Sequence, residues 1–184
     1  MRTALLAGAA AAGFALVPAA AGALTAAEAW AEWQRLAAEN DAALTAAEET
    51  EEDGRLTVSS VAFASELEDD TTVTGTIAQI VFTETGDGAV EVTMSETIPF
   101  TVSGTSEAGE PVAAAATLTQ QGFVYRATDG AEGGLSADYA AEEVALALDS
   151  VEVDGEVQSL RGTVTVGELE GAYTASGGEP LQLS

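Results

Sequence analysis

The chain has 184 residues, one domain's worth, and its 31 Asp and Glu against 5 basic residues give a formal net charge of -26. The basic residues are Arg2, Arg35, Arg55, Arg126 and Arg161, and lysine, histidine and cysteine do not occur. These absences exclude Ser-His-Asp and Cys-His catalysis, Schiff-base and P-loop lysines, disulfides, and His or Cys ligation of zinc, haem or iron–sulfur clusters; with so few cations to neutralise phosphates they also exclude nucleic acid as a partner.

Met1, Arg2 and Thr3 form a positively charged start, residues 4–17 carry no charge, and Pro18 breaks the run. That length suits the apolar segment of a secretory signal and falls short of the roughly 20 residues of a membrane span. Ala21-Gly22-Ala23 supplies the small residues that signal peptidase requires. The pattern therefore predicts a signal peptide over residues 1–23 and a single β-rich domain over 24–184, with an uncleaved anchor as the alternative. No cysteine stands at the cleavage site to carry a lipid, and no transmembrane segment is expected in the mature chain.

Thr25-Ala-Ala-Glu28 has the form of a capping box, so a helix is predicted over about residues 26–40. Trp30, Trp33 and Leu36 or Ala37 recur at spacings of three and four, with Leu44 a candidate continuation. This stripe fastens the helix to a sheet or clamps a ligand. The acidic run 48–54 reads as a solvated linker, and from about Arg55 the apolar period drops from 3.6 to 2.

The remainder reads as strands. Leu56 and Val58, then Val61 and Phe63, alternate with polar residues but slip by one place at Ser59 and Ser60, as at a β-bulge. Residues 76–95 form a hairpin around Gly86-Asp87-Gly88, and Pro99 marks an edge or a strand start. Further strands are predicted over 112–119, 123–128, 142–153, 160–166 and 171–174. The segment from Leu56 echoes that from Leu146, slip included, and Gly75-Thr76-Ile77 echoes Gly162-Thr163-Val164. With no helix between the strands, the expected class is mainly β (α+β): one amphipathic helix packed on a curved antiparallel β-sheet meander. Alanine inflates the apolar count and aromatics are only 5%, so the sheet is thinly covered and an apolar groove is expected to stay open.

Carboxylates are the abundant chemical groups, but nothing selects a glycosidase-type pair among them. Calcium is the second option, because hard oxygen ligands are the only ligands present. Glu152, Asp154 and Glu156, alternating onto one strand face beside Gly155, form a weak candidate site, although they do not fit the EF-hand spacing. Gly133-Gly134 lacks a nucleotide-binding context and reads as a loop.

The order of features resembles the DUF2125 family, secreted alphaproteobacterial proteins without an assigned activity. The resemblance is carried by the Ala-rich signal, Leu24-Thr-Ala-Ala-Glu-Ala-Trp30-Ala-Glu-Trp33, Leu56-Thr-Val-Ser-Ser-Val, and the stretch from Ile80 through Gly86-Asp87-Gly88 to Met94-Ser95 with Ile98-Pro99-Phe100 behind it. It covers roughly residues 24–175 and thins after 120. Family members are usually longer, so the chain resembles an N-terminal portion, a short paralogue or a truncated frame. The resemblance brings no catalytic residues and implies a periplasmic location. The expectation is therefore a non-enzymatic periplasmic protein that holds an apolar, lipid-like ligand between helix and sheet through Trp30, Trp33 and Leu36. The alternative is an interaction protein of the cell envelope that pairs through its sheet edges, and a carboxylate hydrolase stands a distant third.

Overall fold

The computed structural model describes residues 23–67, 70–106, 108–130, 135–175 and 182–183; the segment predicted as a signal peptide, apart from Ala23, and Gly133-Gly134 lie outside them. The chain opens with α1 (Ala26–Glu39), whose N-terminus is the predicted capping box. The Glu28 amide donates to Thr25 Oγ1 at 3.2 Å, and the Thr25 amide donates to Glu28 Oε2 at 2.9 Å. A second carboxylate guards the same end: the Ala26 amide donates to Glu84 Oε1 at 3.0 Å, placing negative charge at the positive end of the helix dipole.

Among the described residues twelve strands follow, all in one antiparallel sheet: β1 (Ala42–Thr45), β2 (Glu48–Glu52), β3 (Arg55–Glu66), β4 (Thr72–Glu84), β5 (Val90–Met94), β6 (Thr97–Thr105), β7 (Pro111–Gln121), β8 (Val124–Asp129), β9 (Leu135–Val153), β10 (Glu156–Gln158), β11 (Gly162–Ala175) and β12 (Gln182–Leu183). The mainly β architecture with one helix on an antiparallel sheet is the one the sequence predicts. It is more divided than a simple meander, because the long strands share their neighbours. β4 pairs β5 along residues 80–84 and β6 along 72–75, and β9 pairs β8 along 135–140 and β7 along 143–153.

Three local readings are corrected. The acidic run is no linker: residues 48–52 form β2, a fully exposed edge strand on β3, closed by a turn at Asp53 and Gly54 with φ of 50° and 73°. Ladder bonds use the backbone, so charged side chains that point to water do not prevent pairing, and on an edge they discourage a further strand. Leu44 does not extend the helix stripe but sits in β1. The segments predicted over 160–166 and 171–174 are one strand, β11, because Gly167 and Glu168 continue the chain through an irregularity instead of ending it.

Register shows why one face of this sheet is apolar across its width. Residues directly opposite in an antiparallel ladder share a face. Leu56, Phe82, Val92, Tyr125, Tyr139 and Gly171 stand in line across six strands, and so do Phe63, Gly75, Phe100, Ala116, Leu148 and Gly162. Both lines occupy the same face because the alternation switches at Ser60, where φ is 51°: Leu56 and Val58 are buried before it and Val61 after it. The predicted slip is thus real. Its echo is also irregular, but as a bulge in which Asp149 stands unpaired between the pairs Ala115–Ser150 and Ala116–Leu148. The helix covers only the first line, where Leu24, Ala26, Ala29 and Trp30 close the core over Leu56, Val58, Ile80, Phe82, Val90 and Val92.

Candidate functional site

The helix stripe divides between two tasks. Trp30, 3% exposed, is a core residue whose indole meets Phe82 at 5.8 Å, while its Nε1 donates to Glu49 Oε1 at 2.9 Å. Trp33, one turn on, is half-buried. It meets Phe82 and Tyr125 edge to face at 5.3 and 5.1 Å, the geometry that aromatic quadrupoles favour.

Past Trp33 lies a cleft of about 390 Å³, lined by Trp33, Leu36, Ala37 and Asn40 of α1, Leu44 of β1, Tyr139 of β9 and Tyr173 of β11. Apart from the Trp33 indole N–H, which bonds the Tyr125 hydroxyl, the Asn40 amide and the two phenols, the lining is hydrocarbon. The Asn40 amide is engaged, donating to the Leu36 carbonyl at 2.7 Å. The volume lies within the range of roughly 300–1,000 Å³ typical of small-ligand sites.

The phenols form a small network behind the cleft. Tyr125 and Tyr173 share a hydrogen bond of 2.6 Å between their hydroxyls, and burial pushes both above the usual phenol range. Tyr139 lies across Gly171, where an added Cβ would come within 2.3 Å of its Oη. Glycine at 171 is therefore what lets the Tyr139 ring lie flat against β11 and wall the cleft.

Of the residues expected to touch a ligand, the structure places Trp33 and Leu36 in the cleft and Trp30 beneath the helix. Sequence reasoning missed Tyr139 and Tyr173. They stand 34 positions apart in the chain and meet only through β9–β11 pairing, which a local pattern does not disclose.

The calcium candidates do not come together. Asp154 and Gly155 form a two-residue turn, with φ of 49° and 79°, that sets Glu156 opposite Val153 and Val157 opposite Glu152. Glu152 and Glu156 therefore stand on opposite faces; the turn reverses an alternation that the sequence reading carried straight through. Among the described residues no group of three or more acids is placed to hold a metal ion.

Among the described residues the carboxylates with displaced titration are Glu28, held down by the Thr25 backbone and hydroxyl, Glu32, held down by Arg35, and Asp87, held down by Thr85 and Arg126. A glycosidase acid requires a shift in the other direction. Among the described residues no helix is long and apolar enough to cross a membrane. Comparisons with protein-family models, with curated proteins and with solved structures find no match.

Proposed function

We propose that this is a non-enzymatic periplasmic protein that binds an apolar, lipid-like molecule between α1 and the sheet. The observation that carries the reading is the largely apolar cleft at Trp33, Leu36, Leu44, Tyr139 and Tyr173, which lies open beside the buried core. The net charge of -26 narrows the ligand to one without a net negative head, since an anionic amphiphile would approach a like-charged surface. Export and kinship with the DUF2125 proteins rest on the amino-terminal pattern and the motifs named above. A second reading, interaction through sheet edges, is favoured by the exposed outer edge of β11.

The test is titration with N-phenyl-1-naphthylamine, a neutral apolar fluorophore. The expected result is saturable enhancement at one probe per chain with quenching of Trp33, weakened about tenfold by Leu36→Ala, which removes cleft surface worth about 1.4 kcal/mol of binding. Enhancement that never saturates, or that Leu36→Ala leaves unchanged, would reject the cleft as a ligand site.

A further inference from the structure

β11 is the outermost long strand of the sheet. Its inner edge pairs β9 from Gly162 to Ala175 apart from Glu168, whereas on its outer edge β12 pairs Tyr173 and Thr174. Every residue from 161 to 170 is exposed, Val164 at 65% and Val166 at 50%. Natural sheets blunt such edges with lysine, proline, inward-pointing charge or a bulge. Residues 162–167, Gly-Thr-Val-Thr-Val-Gly, carry none of these and are uncharged in a chain of net charge -26. The regular stretch ends at Glu168, whose φ of 50° breaks the ladder, and begins after Arg161.

We propose that this edge pairs with the same edge of a second copy of the chain, antiparallel about a two-fold axis through Thr165. An isologous contact requires a self-complementary edge, and this one is. With Thr165 opposite its own counterpart, Val164 of each copy stands opposite Val166 of the other. Both lie on the apolar face, because Val164 pairs Leu146 and Val166 pairs Val144 within the chain. The line Ile98, Leu118, Leu146, Val164 then continues into the second copy, and the exposed valines cover one another. Charge selects the same partner. Arg161 of each copy comes opposite Leu169 of the other, between Glu168 and Glu170, so the cation beside this edge meets the two acids of β11, twice over. Net repulsion between the copies is screened beyond about 8 Å at physiological ionic strength, which leaves the local match to decide the register.

The pairing uses residues 161–169, none of which lines the cleft, so it stands or falls separately from ligand binding. The chain has no cysteine, so Thr165→Cys places a single thiol on each copy at the two-fold. Directly opposite Cα atoms of an antiparallel ladder are about 4.5–5.5 Å apart, inside the roughly 4.4–6.8 Å that a disulfide spans. Val164→Cys, whose counterpart is Val166, is the register control. Expected are a monomer–dimer equilibrium of the unaltered chain in sedimentation across the micromolar range, covalent dimers on mild oxidation of Thr165→Cys but not of Val164→Cys, and a monomer of unchanged circular dichroism for Val164→Lys with Val166→Lys. A chain that stays monomeric throughout, including one that takes up a strand only from a different protein, overturns the proposal. So does a dimer indifferent to the two lysines, equal crosslinking of both cysteine variants, or open-ended fibres in place of a closed pair.

Discussion

At the scale of single residues, two glycines do similar work with different consequences. An alanine Cβ at 75 would lie 2.3 Å from Phe63 Cζ and 2.7 Å from the Pro99 carbonyl oxygen, and at 171 it would lie 2.3 Å from Tyr139 Oη and 2.4 Å from its Cζ. A ring can swing aside, but a carbonyl in a paired strand cannot. Gly75→Ala is therefore expected to cost about 3 kcal/mol and Gly171→Ala about 1 kcal/mol in urea denaturation, the two ends of the usual overpacking range. Probe binding should reverse that order, because only Gly171→Ala displaces a wall of the cleft. Equal stability losses would show that the Pro99 carbonyl yields as readily as a side chain. The buried phenols make a pH prediction. Tyr125 and Tyr173 have folded pKa values raised above the unfolded value of about 10, so the native state holds their protons more tightly. Their contribution is fully present below pH of about 10 and is lost as pH rises past it through the folded values. Thermal denaturation from neutral to strongly alkaline pH should fall steeply in that window and less steeply in Tyr125→Phe.

The helix, as an element, is held by side-chain bonds at separate points: Ala26 to Glu84, Trp30 to Glu49, and Gln34 Nε2 to the Leu44 carbonyl at 3.3 Å. The Trp30 bond matters most because the indole is buried and would be left with an unpaired donor. Glu49→Ala is expected to destabilise the protein by about 1–3 kcal/mol, whereas alanine at Glu51 on the same exposed strand should change it by less than about 0.5 kcal/mol. Comparable effects at both positions in denaturant titration would mean that β2 acts as a strand and not through that bond. The same element shows what a sequence discloses. Thr25 and Glu28 wrote the start of α1 into four consecutive residues, and Gly86-Asp87-Gly88 wrote the β4–β5 turn just as locally. β2 was illegible because its pairing depends on backbone groups while its side chains, four of five of them acidic, read as a solvated run, and the one that reaches Trp30, Glu49, is not marked out from its neighbours by any local pattern. The cleft was half legible: Trp33 and Leu36 follow from helical spacing, but Tyr139 and Tyr173 reach it by long-range register. Glu152, Asp154 and Glu156 failed as a group for a local reason, since Asp-Gly is itself a turn signal and had to be read before the alternation around it.

For the molecule as a whole, charge and burial act against each other. Three ion pairs among the described residues, Arg35 with Glu32 and with Glu39 and Arg126 with Asp87, are at or near the surface and are worth about 0–1 kcal/mol each. Against them stands the mutual repulsion of a net charge of -26 gathered into one fold with no disulfide to hold it. Sodium chloride weakens both, since raising ionic strength from 0.01 M to 1 M shortens the screening length from about 30 Å to about 3 Å. The pairs are few and short-ranged, whereas the repulsion sums over every pair of carboxylates within that longer distance, so screening should remove more repulsion than attraction. The melting temperature is accordingly expected to rise across that range by about 4–8 °C, equivalent to about 2 kcal/mol for a chain of this size. Chloride suits the measurement because sulfate would also strengthen apolar burial and confuse the two causes. A melting temperature that falls with added chloride would show that the few arginines contribute more than the excess acids take away, and Arg35→Gln would then identify whether the helix pairs are the source.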